Sequence, residues 1–295
     1  MEQNGLEKNT YAPFDLHMHS RCSDGSDAPA DVIAQAARRG ITMAALTDHD
    51  CVTGVAEALE AGRRLGVRVL PALEMDCEWR HELHILGLDV DPHEARLEAA
   101  LETARRRRME RNAEIVRRLC SAGMDIRPHL TREPDVATRL HIALALVRGG
   151  FAENAHDAFV RYLRRGGAGY YAVARFSPEE VITLILGAGG APVWAHPTHG
   201  GADVHKLSLQ LKSYGLMGLE AYHPSMSEGE SAVLVSIAAQ NGLLVTCGSD
   251  YHGANRPEVT PGQTWRDTPQ LRESRRFFES RSAGRAQSLY ADTGI

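Results

Sequence analysis

The sequence contains no run of about eighteen apolar residues, so no membrane-spanning helix is expected. Its first residues, MEQNGLEKNTYA, lack the apolar centre of a secretory signal, which points to a cytoplasmic protein without a membrane partner. No CxxC pair occurs. Cys22, Cys51, Cys77, Cys120 and Cys247 are scattered and odd in number, which argues for reduced thiols rather than a disulfide frame. The glycine-rich stretches at 166–169 and 187–190 lack the lysine of a phosphate-binding loop and read as turns. A dinucleotide fingerprint is missing, as is any Ser-His-Asp or Cys-His arrangement. Nor is there an excess of positive charge. A net charge of −5 with histidine neutral argues against a surface that coats DNA, while permitting a local basic patch.

What remains is an ordinary globular composition, 43% hydrophobic and 24% charged over 295 residues, enough for one large domain or one domain with an insertion. From Phe14 onward short apolar runs alternate with helical periods. Residues 14–19 read as a strand, and 28–39 as a helix with Ser26 or Asp27 as N-cap, Pro29 in its first turn and Gly40 at its end. Strands are expected at 41–47, 67–73 and 83–90, with a helix at 53–65 closed by Gly66. After an interruption, helices at 178–186, 204–213 and 229–241 separate strands at 192–195, 216–222 and 243–247. Such repetition predicts an α/β fold with a parallel sheet, closed into a barrel or left open. The interruption itself is helical in texture. LEAALETARRRRMERNAEIVRRLCSAG ends at Gly123, and 140–147 and 156–163 suggest more helices. The expected organisation is a polar tail over 1–12, a discontinuous β/α unit over 13–90 and 171–290, and a helical subdomain inserted at 91–170. Residues 265–295 are polar and predict a last helix with a frayed end.

Metal-grade side chains gather at the strand ends. His17 and His19 lie two apart on a strand, so both project from one face. In a barrel, the loop that follows them lies at the C-terminal mouth where active sites sit. An H-x-H pair alone is weak evidence. Here, however, Asp48, His49 and Asp50 end the second strand, Glu74 ends the third, and His84 lies in the fourth. His196, His223 and the run Asp250-Tyr251-His252 close later ones. Chance would scatter such residues over helices and loops as well, so the pattern points to one convergent site. Its ligand atoms exceed the roughly four to six that one ion takes, and two to three divalent ions are expected. Imidazole and carboxylate together suit zinc, manganese or iron and argue against a thiolate site. Closely spaced metals lower the pKa of a bridging water and clamp the attacking and leaving oxygens of phosphoryl transfer.

In order along the chain, DLHMHS (15–20), SDG (23–25), TDHD (47–50), the Glu74 strand end, LHILGLDVDP (83–92), AHP (195–197) and GSDYH (248–252) resemble the PHP (polymerase and histidinol phosphatase) family of metal-dependent phosphoesterases. The resemblance covers about 14–253 and implies a distorted seven-stranded β/α barrel. It implies that His17 and His19 bind one ion with Asp250, and that Glu74 bridges to a second held by His84 and His196. Asp24, His49 and His252 would hold a third, with manganese the first choice and zinc or iron the alternatives. SDGSD around Asp24 also reads as a plain turn and N-cap. Within the family, Thr138-Arg139-Leu140-His141-Ile142-Ala143 resembles the T-R-x-H-x-A segment of a branch with a helical insertion. Tyr162 to Tyr170 resembles its YL-x-x-G-x-x-x-Y segment. That branch is similar to nucleoside 3′,5′-bisphosphate phosphatases, some of whose relatives trim short 5′-phosphorylated RNA.

Further residues are candidates, some by the resemblance and some by position or charge alone. Arg139 could grip a phosphate bidentately while the metals attack another, a buried structural arginine being the alternative. His141 and Arg165 are candidate substrate contacts. His199 could protonate a leaving oxygen or sit in a solvent-exposed loop. His223 departs from the branch, and reads as a substrate contact or accessory ligand. Between Leu101 and Cys120 stand seven arginines against three glutamates, which read as a solvated helix face or as a guide for an RNA tail. The expected activity is hydrolysis of a phosphate monoester of a nucleoside 3′,5′-bisphosphate by a metal-bridging hydroxide. Its partner would be a small phosphorylated nucleotide or a short RNA, with no obligate protein partner. A 5′→3′ exoribonuclease or phosphodiesterase acting on short 5′-phosphorylated RNA competes with it. A histidinol-phosphate phosphatase is disfavoured by the inserted helices. A non-catalytic module stabilised by metals is disfavoured because no ligand position is missing.

Overall fold

Seven short apolar runs pair in the order of the sequence: β1 (Phe14–Asp15), β2 (Met43–Leu46), β3 (Arg68–Asp76), β4 (His84–Leu88), β5 (Ala191–Trp194), β6 (Gly218–Tyr222) and β7 (Leu244–Cys247). They belong to a computed structural model that describes residues 12–80, 83–130, 136–198, 201 and 203–291. Beyond β7 the chain returns to β1. Leu16 N–H donates to Cys247 O at 3.1 Å, Asp250 N–H to His17 O at 2.8 Å, and His19 N–H to Tyr251 O at 2.8 Å. The result is a nearly closed seven-stranded barrel in a mixed α/β fold. Strand 14–19 is shorter than the sequence suggests, because its second half leaves the ladder after Asp15 and pairs again only at Met18 opposite Tyr251. This is the stretch that carries His17 and His19.

The sheet is not parallel throughout. β4 runs antiparallel to both β3 and β5. β3 and β4 follow one another too closely for a parallel return, which needs a crossover of about a dozen residues. A consequence is that Asp76, near the end of β3, lies opposite His84 at the start of β4.

Helices α1 (Pro29–Arg38) and α2 (Val55–Leu65) pack against the first strands, burying Val32, Ile33, Ala58 and Ala61 against Met18 and Leu46. The cap of α1 is Ala28, not Ser26 or Asp27. Those two side chains are engaged elsewhere: Ser26 Oγ accepts from Ala254 N–H at 2.7 Å, and Tyr251 Oη–H donates to Asp27 at 2.6 Å. Between β4 and β5 come α3 (Ala95–Ser121), α4 (Arg139–Arg148), the short α5 (Ala155–Ala158) and a π-helical turn at Phe159–Leu163. They share an apolar cluster of their own, with Ile115, Leu119, Ile142, Leu146 and Leu163 at its centre. The first turns of α3 belong instead to the barrel, for Leu97 and Leu101 join the main core. The chain then continues through α6 (Pro178–Gly187), α7 (Val204–Tyr214), α8 (Glu228–Asn241) and α9 (Pro269–Ala291). Ser177/Glu180 and Ser227/Glu230 form capping boxes that fix the starts of α6 and α8. α9, within the polar C-terminal stretch, buries Leu271 and Phe278, and Ser274 Oγ–H donates to Val245 O at 2.6 Å. No helix among the described residues is long and apolar enough to cross a membrane.

Candidate metal centre

Side chains from the C-terminal ends of the parallel strands and from the start of the antiparallel β4 converge on Glu74. Ala72, Glu74 and Asp76 share one face of β3 because side chains alternate along a strand. Glu74 is only 1% exposed. Its Oε1 lies 3.0 Å from His84 Nδ1 and 3.0 Å from His196 Nε2. Its Oε2 lies 3.4 Å from the Nε2 atoms of both His17 and His19, and 3.1 Å from His49 Nδ1. Each carboxylate oxygen therefore faces a different set of imidazoles.

Two smaller constellations flank this carboxylate. His17, His19 and Asp250 present ligand atoms within 4.8 Å of one another, and so do His19, Asp24, His49 and His252. His84 falls into a group with His49 and Asp76. The loop bearing Asp24 is pinned by Asp48, which accepts from Ser20 N–H at 2.8 Å, Ser20 Oγ–H at 2.6 Å and Ser23 Oγ–H at 2.6 Å. Burial pushes the Asp48 carboxyl up to about 6 against those bonds. Asp50, His196 and Asp250 all adopt positive φ, at 46°, 31° and 54°. Non-glycine residues pay roughly 1–3 kcal/mol for such conformations, which concentrate at functional sites.

The donor chemistry fits divalent cations. His17 Nε2 and His19 Nε2 stand 3.1 Å apart, yet one proton at most can lie between them. His19 Nδ1, His49 Nδ1 and Glu74 Oε2 are buried without a hydrogen-bond partner, although each has a ring nitrogen or carboxylate oxygen within 3.7 Å. Burial and the neighbouring His252 hold the His19 imidazole down at about 3, so the ring is neutral at pH 7 and one of its nitrogens carries a free lone pair. Burial opposes ionisation of Asp24, yet His49 and His252 hold its carboxyl well below the usual range. Buried lone pairs facing one another call for a cation between them.

Glu220 orders this arrangement. Fully buried on β6, it lies 3.1 Å from His17 Nδ1 and accepts from His196 N–H at 2.9 Å. With a proton on Nδ1, the lone pair of His17 Nε2 is aimed at Glu74, His19 and Asp250. Asp76 does the same for His84, meeting its Nε2 at 2.9 Å while Nδ1 faces Glu74. Neither carboxylate is singled out in the sequence. The signals were an acid inside the apolar strand GLEAY and an acid two residues past Glu74, on its face.

The remaining expected residues divide. Arg139 opens α4 and, with Thr138, lines a cavity of about 720 Å3 over the cluster. Thr138 Oγ1–H also donates to Asp24 at 2.9 Å. His141 does not line that cavity: its Nδ1 accepts from Thr138 N–H at 3.1 Å and completes the α4 cap. His223 is buried beside the cluster, its Nε2 3.3 Å from Asp250 and its Nδ1 2.7 Å from Ser225 Oγ. Arg165 lines an adjoining cavity. His199 lies outside the described residues. The arginine-rich part of α3 is not wholly a solvated face: Arg105 and Arg117 pair with glutamates in solvent, but Arg108 and Arg111 are buried.

Gly248 allows barrel closure at this point. A Cβ there would stand 2.2 Å from His17 Cβ and 2.3 Å from Glu220 Oε1. Gly248→Ala is expected to destabilise the fold by about 3 kcal/mol through overpacking and to lower bound metal, because His17 must move. Thermal unfolding and metal analysis of the purified variant check this; an unchanged melting temperature with full metal would refute it.

A family model described as the PHP domain matches residues 15–171. A 3′,5′-nucleoside bisphosphate phosphatase from Chromobacterium violaceum is 36% identical, over 87% of this chain and 90% of the relative. A phosphoribosyl 1,2-cyclic phosphate 1,2-diphosphodiesterase from Eggerthella lenta is 33% identical, over 81% of this chain and 94% of its own. A 5′-3′ exoribonuclease from Haemophilus influenzae is 30% identical, over 81% and 89%. Among solved structures, one described as an amidohydrolase from Chromobacterium violaceum, with bound sulfate and no metal, superposes with a TM-score of 0.84. It is 36% identical and covers 92% of this chain and 97% of its own.

Proposed function

The chain belongs to the PHP family and is a metal-dependent phosphoesterase; from that premise we propose that it removes a phosphate from a nucleoside 3′,5′-bisphosphate. The observation that carries the reading is the division of Glu74, whose two oxygens face separate sets of imidazoles at 3.0–3.4 Å. In this reading His17, His19 and Asp250 would hold one divalent ion, and Glu74 would serve both it and a second held by His84 and His196. Asp24, His49 and His252 would hold a third, with manganese the first candidate. Bound together, such ions lower the pKa of a water and polarise the phosphoryl oxygens.

The chain's own groups do the rest. Glu220 and Asp76 orient His17 and His84, so that the lone pairs face inward. Arg139, which lines the same cavity, offers a planar fork of donors to a phosphate and draws the substrate over Glu74. The capped start of α4 behind it holds that arginine in place.

The deciding assay is phosphate release from adenosine 3′,5′-bisphosphate by manganese-loaded protein, run beside a 5′-phosphorylated RNA trimer. Release from the bisphosphate at ten or more times the rate of trimer cleavage is expected. Faster trimer cleavage would move the function to RNA trimming, a reading favoured by the similarity to the Haemophilus influenzae exoribonuclease. Silence on both would refute the substrate class.

A further inference from the structure

Arg111 on α3 is 2% exposed and among the largest fully buried side chains. Its Nε–H and Nη2–H donate to Asn112 Oδ1, at 3.2 and 3.1 Å. That acceptor is a neutral amide, and no carboxylate of the described residues forms an ion pair with Arg111. Around it stand other cations. Burial, and the proximity of Arg108, Arg139 and Arg175, push its guanidinium down to about 9. The acid whose charge opposes this, Asp76, is already shared by Arg108 at 2.9 Å, Arg175 at 3.5 Å and His84 at 2.9 Å. A buried cation that lacks a counter-ion is costly. Something negative has to arrive.

The place for it is on hand. Arg111 lines a cavity of about 820 Å3 between the β3–β4 pair and the helices that follow β4. Six arginines (Arg80, Arg111, Arg139, Arg164, Arg165, Arg175) face two acids, Asp76 and Glu78, around its wall. Both acids are engaged, since Glu78 accepts from Arg175 N–H at 3.1 Å. The cavity shares Asp76, His84, Arg139 and Arg164 with the one over Glu74, so an anion bound here lies beside the metal centre.

We propose that Arg111 anchors a second anion subsite beside the metal centre, which takes the phosphate that is not cleaved. The inference rests on the phosphoesterase reading and deepens it. One phosphate meets the metal centre, and the other meets Arg111, with Arg139 and Arg175 completing its neutralisation. A guanidinium is suited to this role because its paired donors match two phosphate oxygens. Arg111 is thereby the residue that selects a doubly phosphorylated substrate over a singly phosphorylated one. No proton or bond changes hands at the subsite; its contribution is affinity and placement.

The test compares wild type, Arg111→Met and Arg111→Lys by calorimetric binding of adenosine 3′,5′-bisphosphate and adenosine 5′-phosphate. Turnover of the bisphosphate and of 4-nitrophenyl phosphate is measured alongside. In Arg111→Met the preference for bisphosphate over monophosphate should fall at least tenfold, mainly through KM, with partial recovery in Arg111→Lys. The melting temperature should hold or rise, because the substitution strands no carboxylate. Equal losses on all substrates, or an unchanged preference in binding, overturn the subsite. Absence of turnover while the binding preference survives in wild type and fails in the variant would refute the phosphoesterase reading and leave the subsite standing. Should Arg111→Met fail to fold, Arg175→Gln at a half-buried position carries the same comparison.

Discussion

Glu74→Gln lowers kcat on a phosphate monoester by roughly a thousandfold, about 4 kcal/mol of transition-state stabilisation, and releases bound metal. The substitution keeps volume and shape and changes only charge and donor pattern. Glutamine offers one oxygen where glutamate offers two, so either the His84–His196 side or the His17–His19–His49 side loses its acceptor. The amide nitrogen meets ring nitrogens that need a cation or a lone-pair partner, and it cannot ligate. The folded state should survive, since the imidazoles remain packed and no new volume is introduced. Burial works against the Glu74 carboxylate, but His49, His17 and His84 hold it well below its usual range. Removing it leaves those imidazoles without the charge they face. The measurements are kcat, metal content per chain, and melting temperature with and without a chelator. In wild type, chelation should lower the melting temperature, because ligands that bind the folded state stabilise it. In the variant that difference should shrink. Near-normal turnover with full metal would sink the bridging role.

The groups around Glu74 were legible in the sequence because strand periodicity and position carry them. His17, His49, Glu74, His196 and Asp250 each sit at the C-terminal end of a barrel strand, and a strand end followed by a polar residue is visible as text. Direction was not visible. The antiparallel β4 and the facing of Asp76 by His84 emerge only in space. The arginines of α3 are a different case. Leu97, Leu101, Ala104, Ile115 and Leu119 mark the buried stripe, and continuing its spacing of three and four places Arg108 and Arg111 upon it. The period was there to be extrapolated. Arginine content drew the reading toward solvent instead, because Arg108 is tolerable in the interior only through Asp50 and Asp76, two acids that the fold brings to it from other elements. His141 shows the converse: motif likeness marked it for the substrate, and local geometry gives its Nδ1 to a helix cap.

Those same acids tie Arg108 to the stability of the fold. Arg108 Nε–H donates to Asp50 Oδ2 at 2.7 Å, and its Nη2 lies 2.7 Å from Asp50 and 2.9 Å from Asp76. The Nη2 contacts lack hydrogen-bond geometry, so Asp76 is held by charge more than by a directed bond. Arg108 is 6% exposed, and the pairing joins α3 to β3 and to the loop that follows β2. Removing one member of a buried ion pair strands its partners, and Arg108→Met should destabilise the protein by about 3–5 kcal/mol. That is a fall in melting temperature on the order of 10 °C. The pH dependence has a definite sign. Burial raises the Asp76 carboxyl, but Arg108 and His84 hold it well below its ordinary 3.8. A depressed carboxyl contributes stability that is present above the ordinary value and lost as pH falls toward the folded one. The gap between wild type and Arg108→Met should therefore be full at pH 7 and narrow below about pH 4. Adding Asp50→Asn and Asp76→Asn to the variant should recover much of the loss, since an apolar side chain then faces amides rather than uncompensated charges. Urea unfolding across that pH range decides it. A loss under about 1 kcal/mol at pH 7 would mean that Arg175 and His84 suffice for Asp76, leaving Arg108 a packing residue.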